Sequence, residues 1–273
     1  MKIAVLSGKG GTGKTMLAVN LATVLRWTYV DCDVEAPNGF LFLRPRVTCR
    51  QDVSLYVPEV NHELCTLCQA CVQSCQFNAL LATGEKINFF EKLCHSCGLC
   101  RLVCSQGAIT EKARTIGYVE MGARGNLECW QGVLTPGEPM GAPIIDKLKS
   151  KLIHGCSILD APPGSSCNVV ATAIDTDLAL LVTEPTPFGV HDLAMVHRVT
   201  EKLNLRAAII INRSFGEDEL VEEYAEAKGL PIIGRFPFSL SAAQTMAHGE
   251  LLAEQPQWRA KFEKLGSSLR ELI

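Results

Sequence analysis

Ser7-Gly8-Lys9-Gly10-Gly11-Thr12-Gly13-Lys14-Thr15 follows the apolar run Ile3-Ala4-Val5-Leu6 and precedes an amphipathic run over residues 16–25. The apolar run reads as a buried first strand and the amphipathic one as a helix. A strand, a glycine-rich turn and a helix opening on Lys-Thr are the context of a phosphate-binding loop. Unpaired N–H groups at a helix start attract an anion, and Gly8, Gly10, Gly11 and Gly13, with Thr12 between them, let the backbone wrap closely round it. Lys14 is expected to reach the β- and γ-phosphates of ATP or ADP, and the Thr15 hydroxyl to hold Mg²⁺. Gly8, Gly10 and Gly13 also satisfy G-x-G-x-x-G, with Asp31 or Asp33 near the distance of a ribose-binding acid. That dinucleotide pattern does not need Lys-Thr after its last glycine, whereas the triphosphate loop does.

With 273 residues, 47% hydrophobic and 20% charged, the chain has material for a large core, as one domain or a domain with an insertion. A net charge of −3 gives no reason to expect nucleic acid or an anionic membrane as partner. No apolar run approaches the roughly 20 residues of a membrane span. The sequence goes straight into a strand without a signal peptide, so a cytoplasmic location is expected. Thirteen cysteines are then unusual unless they bind metal.

Eight of those cysteines form two runs. Cys65, Cys68, Cys71 and Cys75 map onto Cys94, Cys97, Cys100 and Cys104 by a constant shift of 29 residues, which also maps Leu64 onto Leu93, Ala79 onto Ala108 and Leu80 onto Ile109. This is an internal repeat. C-x₂-C-x₂-C-x₃-C, twice, is the spacing of a ferredoxin with two [4Fe–4S] clusters, in which the fourth cysteine of each run serves the other cluster. Cys65, Cys68, Cys71 and Cys104 are therefore expected on one cluster, and Cys94, Cys97, Cys100 and Cys75 on the other. The resemblance to bacterial-type ferredoxins covers residues 60–116, although Gln76 and Ser105 stand where that family usually has proline. Zinc sites favour ligand pairs separated by a spacer, and disulfides suit neither the spacing nor the compartment. His62 and His95 lie near the runs; packed or solvated histidines are the plainer reading. Cys32 and Cys156 fall in strands, where cysteine acts as a small apolar residue.

Around this segment, the expected strands are 27–32, 156–159, 178–182, 207–211 and 232–234. The expected helices are 144–152, one from about 168, 190–203, 217–228, 240–248 and 257–272. Strands spaced by such helices predict an α/β fold, a mostly parallel sheet covered by helices on both faces. Residues 39–58 read only as short strands and turns. Residues 118–124 and 127–134, split by Gly125-Asn126, read as a hairpin. Domain boundaries follow as 1–59 and 117–273 for a split P-loop domain and 60–116 for an inserted α+β ferredoxin-like one. The terminal helix carries Trp258, Phe262, Leu265, Leu269 and Leu272 on one face, the pattern of packing against a sheet.

Lys9 adds a second lysine to the loop. Lys-Gly-Gly-x-Gly-Lys-Thr resembles the deviant Walker A motif of the MinD/ParA superfamily, which includes Mrp-type iron–sulfur carriers. Asp31-Cys32-Asp33-Val34-Glu35-Ala36-Pro37-Asn38 and Asp160-Ala161-Pro162-Pro163-Gly164 match that superfamily as well, in the form that carries an inserted ferredoxin domain. The resemblance implies that Lys9 crosses a dimer interface to a partner's phosphates, and that Asp33 in switch I positions the attacking water. It further implies that Asp160 reaches Mg²⁺ through water, that the Gly164 N–H senses the γ-phosphate, and that Asn212-Arg213 meets adenine. Phe236-Pro237-Phe238 is a further candidate for the base pocket. The implied protein is a dimeric ATPase, homomeric or paired with a related ATPase, that couples nucleotide state to electron transfer through two [4Fe–4S] clusters. Its hydrolysis is expected to be slow and partner-stimulated, and its other partner a redox or iron–sulfur acceptor protein. An ATP-gated cluster assembly or delivery factor is the alternative, and a MinD/ParA-type spatial organiser a more distant one, since anchors for membrane and DNA are missing.

Overall fold

The computed structural model describes residues 1–152 and 155–272. Its chain starts with β1 (Lys2–Leu6), α1 (Lys14–Leu25), β2 (Thr28–Asp31) and α2 (Gly39–Leu43), and continues into a long strand, β3 (Arg46–Val60). The short elements α3 (Ala70–Ser74), β4 (Leu80–Thr83), β5 (Lys86–Phe89) and α4 (Leu99–Leu102) follow, before a second long strand, β6 (Ile109–Arg124), and β7 (Leu127–Leu134). From there strands and helices alternate: α5 (Ala142–Lys149), β8 (Ser157–Asp160), α6 (Cys167–Ala173), β9 (Leu178–Thr183), α7 (Pro187–Lys202) and β10 (Ala207–Ser214). The last elements are α8 (Glu219–Lys228), β11 (Ile232–Pro237), α9 (Leu240–Ala247) and α10 (Pro256–Glu271).

Two compact units share this chain. One contains Asp52–Tyr118 and Thr135–Met140; the other contains Met1–Gln51, Val119–Leu134 and the chain from Gly141 onward. The cysteine-rich unit is thus wider than the 60–116 expected from the repeat, because the inner parts of both long strands and a return segment belong to it. In that return segment, Lys92 Nζ donates to the Gly137 carbonyl at 3.0 Å and Arg114 pairs with Glu138 at 2.7 Å.

Among the described residues the sheet order is β11-β10-β9-β1-β8-β2-β7-β6-β3. Every pairing from β11 to β7 is parallel. Alternation along the central strands explains the two layers of helices, since successive side chains point to opposite faces. Ile3 and Val5 of β1, with Leu178 and Leu180 of β9, pack among Leu17 and Leu21 of α1 and Phe262 and Leu265 of α10. Ala4, Leu6, Ala179 and Leu181 face the other way, toward Val169 of α6, Leu193 and Val196 of α7, and Val221 of α8. The apolar stripe of α10 is therefore core, as its pattern predicted.

The single 15-residue strand β3 replaces the short strands and turns expected over 39–58. It lies at the end of the sheet order, and its first seven residues are exposed. An exposed edge strand does not need the apolar alternation by which strands are read. Among the described residues, no helix is long and apolar enough to cross a membrane.

The cysteine-rich unit is a duplicated fold. Residues with left-handed backbone recur at the same 29-residue shift: Leu67 and Ser96, Gln69 and Gly98, Asn78 and Gly107. The Asn61 N–H donates to the Ala108 carbonyl, and its counterpart Phe90 to the Ala79 carbonyl, both at 2.8 Å. Each half thus offers a strand, a cysteine loop, a one-turn helix and a second strand.

Phe262 is fully buried, with its ring centroid 5.0 Å from that of Phe236. Phe262→Ala should cost about 3–5 kcal/mol, read as a lowered urea midpoint of the sheet domain.

Candidate functional site

The loop between β1 and α1 lies at the carboxyl ends of the central parallel strands, where open α/β sheets bind ligands. Its shape depends on glycine at two positions. Gly13 sits at φ 91°, and a Cβ there would come within 2.2 Å of the Asn212 amide nitrogen. At Gly8 a Cβ would meet the Asp192 carbonyl oxygen at 2.2 Å, so α7 presses directly on the loop. Ser7, Gly10, Gly11, Thr12, Lys14 and Thr15 line a pocket together with Lys9, Asp33 and Pro163. The Thr12 hydroxyl is buried without a partner, a donor left over for a ligand.

Lys14 Nζ lies 3.1 Å from Asp160 Oδ1, with both side chains buried. This pair joins the loop to the end of β8, in register with Asp31 at the end of β2. Asp31 is wholly buried and accepts from the N–H groups of Asp33, Asn38 and Gly39, which folds the turn after β2 round its carboxylate. Burial, then the neighbouring Asp160 charge, pushes Asp31 up to about 7, while the Gly39 and Asp33 N–H groups pull it down. Asp33 itself reaches the pocket; burial raises its carboxyl, with the Lys14 charge opposing. The hydroxyl of Tyr29, a residue with no role in the sequence beyond the strand over 27–32, lies 3.3 Å from Asp31 Oδ2 and 3.2 Å from Asp160 Oδ2.

Three residues with expected ligand roles have partners within this chain. Lys9 Nζ is 3.4 Å from Glu184 Oε2, so within this chain it has a carboxylate partner. Arg213 Nη1 binds the other oxygen of the same Glu184 at 2.7 Å, which directs its side chain to an ion pair. The Gly164 N–H, expected to be open to a γ-phosphate, donates to the Ser7 carbonyl at 2.9 Å. Glu184 escaped the sequence reading because it follows β9 as an ordinary strand-end carboxylate.

Beside the phosphate pocket is a second one, lined by Gly13, Met16, Asn212, Arg213, Pro237 and Phe238 among others. Asn212 donates its amide to the Thr12 carbonyl at 2.7 Å, leaving the amide oxygen as an acceptor. The exposed ring of Phe238 stacks on Phe215 at 5.2 Å.

In the cysteine-rich unit, Cys65, Cys68, Cys71 and Cys104 line one pocket, and Cys94, Cys97, Cys100 and Cys75 line another. Each set takes three cysteines from one half of the repeat and the last from the other. The N–H groups of Ala79 and Ser96 approach the sulfurs of Cys75 and Cys94 at 3.3 and 3.4 Å. Burial raises the Cys71 thiol and pushes Cys100 up to about 11. His95 stacks on Phe77 at 3.7 Å, and His62 is exposed. Among the described residues, no three His, Cys, Asp or Glu side chains converge on one metal ion. Outside these pockets, burial pushes Cys129 up to about 12 and raises Cys32 further, as expected of cysteines used for packing.

The strand order, the loop and the buried Lys14–Asp160 pair define a P-loop nucleotide-binding domain. The chain belongs to the family described as the CobQ/CobB/MinD/ParA nucleotide binding domain, which matches residues 3–252. It is 37% identical over 224 residues to a Methanocaldococcus jannaschii protein named "Uncharacterized protein MJ0579", covering 78% of this chain and 80% of that one. An iron-sulfur cluster carrier protein of Pyrococcus horikoshii is 24% identical over 301 residues, covering 99% and 87%. Among solved structures, the septum site-determining protein MinD of P. horikoshii, complexed with Mg-ADP, superposes with a TM-score of 0.59 at 20% identity, covering 99% of this chain and 96% of that one.

Gly13→Ala forces a side chain into left-handed backbone and against Asn212. The expected result is at least about a tenfold loss of Mg-ADP affinity, measured by calorimetry, since strain of 1–2 kcal/mol falls on the loop itself.

Proposed function

We propose that this protein is an ATP-hydrolysing iron–sulfur protein, in which a dimeric P-loop domain couples its nucleotide state to electron transfer through two [4Fe–4S] clusters. The observation that carries the reading is the crossed grouping of cysteines, three from one run and the fourth from the other, round each of two pockets. The ferredoxin spacing demands that grouping. Thiolates that bind separate iron atoms surround a cluster and need not meet at one point. The backbone N–H groups beside Cys75 and Cys94 supply hydrogen bonds of the kind that tune cluster potentials. Thiols raised by burial give up protons to bind iron. When bound, the clusters supply one-electron transfer.

At the P-loop, Lys14 leaves Asp160 for the β- and γ-phosphates, Thr12 and Thr15 offer hydroxyls, and Asp33 orients the attacking water. Thr15, and Asp160 through water, would hold Mg²⁺, which would supply charge neutralisation. Asn212 reads the adenine edge from the adjoining pocket, with Arg213 beside it. Lys9 exchanges Glu184 for the phosphates of a partner subunit, this chain's copy or a related ATPase, and the isolated chain therefore hydrolyses ATP slowly. In sequence, the cysteine-rich unit is inserted between the turn after β2 and Asp160, the two segments that respond to nucleotide. A nucleotide-dependent shift of cluster potential or of affinity for a redox partner, worth roughly 1–3 kcal/mol, follows. Equal potentials and equal partner affinities with no nucleotide, with ADP and with an ATP analogue would sink that coupling.

A second reading, ATP-gated delivery of the clusters to an acceptor protein, is favoured by the likeness to the P. horikoshii iron-sulfur cluster carrier protein. Faster cluster transfer to an apo-acceptor with ATP supports delivery; retention of both clusters supports electron transfer.

Anaerobically purified protein should contain about eight iron and eight sulfide per chain, as two cubanes require. The Cys71→Ser/Cys104→Ser double variant should keep about half of the iron, because both residues serve one cluster. Loss of nearly all iron from that variant would refute the crossed ligand sets.

A further inference from the structure

Tyr29 lies on the same face of β2 as Asp31, two residues on, with its side chain fully buried. Its hydroxyl reaches Asp160 Oδ2 at 3.2 Å and Asp31 Oδ2 at 3.3 Å. One O–H serves one acceptor fully at a time. Asp31 is already supplied by three backbone N–H groups, two of them on the oxygen nearest Tyr29. Asp160 has Lys14 on Oδ1 and Tyr29 on Oδ2. The phenol proton therefore serves Asp160 first, with Asp31, the carboxylate that shapes the turn after β2, as its second acceptor. That turn rests on the hydroxyl: a Cβ on Gly39 would come within 2.0 Å of it.

We propose that Tyr29 is a positioning residue for the metal site, its hydroxyl holding the Asp160 carboxylate in place and tying it to the turn built round Asp31. This rests on the reading of Asp160 as the aspartate of the Mg²⁺ shell. When Lys14 turns to the phosphates, Asp160 loses its cationic partner. Tyr29 is then its remaining side-chain donor, so orientation of the carboxylate toward the metal passes to the phenol. Because the same hydroxyl also reaches Asp31 and Gly39 packs against it, a displacement of the turn over residues 33–39 moves the phenol and with it the metal-facing carboxylate. Asp33 stands in that turn, so the water-positioning and metal-holding carboxylates are connected beneath the pocket through one side chain.

The test is titration of the full-length protein with a fluorescent N-methylanthraniloyl-ADP, in excess Mg²⁺ and in EDTA. Tyr29→Phe keeps the ring that fills the core. It should bind the ADP analogue in EDTA within about twofold of the unsubstituted protein and lose about tenfold in affinity in Mg²⁺, the size of a lost hydrogen bond to a charged group. Gly39→Ala, which presses on the hydroxyl from the turn, should show the same selective loss. Equal losses in both conditions would mark Tyr29 as a packing residue only and overturn the proposal. A Tyr29→Phe protein with an unchanged Mg²⁺ effect would also overturn it, leaving the metal role of Asp160 intact. If the unsubstituted protein bound the analogue equally with and without Mg²⁺, the reading of Asp160 itself would fall.

Discussion

A buried ion pair between Lys14 and Asp160 is the constraint on which the nucleotide domain depends. Charges removed from water need a close partner of opposite sign, and breaking such a pair leaves a costly unpaired charge. Here the partners are 3.1 Å apart, at the first residue of α1 and the last residue of β8. Satisfying them fixes the start of the helix over the centre of the sheet. The glycines complete the path between β1 and that helix, and the Asn212 amide fastens Thr12 from β10. In this way an electrostatic requirement at one point aligns elements contributed by residues 14, 160 and 212.

The carboxylates are arranged around that pair according to what each can be given. Asp160 receives a lysine and a phenol, and Asp31 receives three backbone N–H groups and the edge of the same phenol. Asp33, less buried, faces the pocket. Glu184 works similarly on the other side, dividing its oxygens between Lys9 and Arg213. One acid thus bridges two basic residues of the site and orients both.

Much of this was legible in the sequence where spacing alone encodes it. The P-loop and the cysteine repeat are local patterns, and the parallel sheet follows from alternating strands and helices. The partner of Lys9 was not legible, because Glu184 is far away in sequence and unremarkable in its context. Tyr29 did not stand out within its strand because only the register of β2 against β8 brings its hydroxyl between two aspartates. Gly164 carried a role inferred by resemblance, and the Ser7 carbonyl occupies its N–H in this structure. β3 was obscured by exposure, which removes the period that identifies a strand. Local chemistry reads from neighbours in sequence; partnership across the sheet reads only from the fold.

The duplicated unit has a consequence for how it comes apart. Each cysteine pocket borrows its last thiol from the opposite half, and the matching N–H···O contacts, Asn61 to Ala108 and Phe90 to Ala79, each join one half to the other. Neither half encloses a complete pocket alone. The two are interlocked like clasped hands: fraying of either half opens both pockets, so the unit behaves as one cooperative block rather than two independent modules.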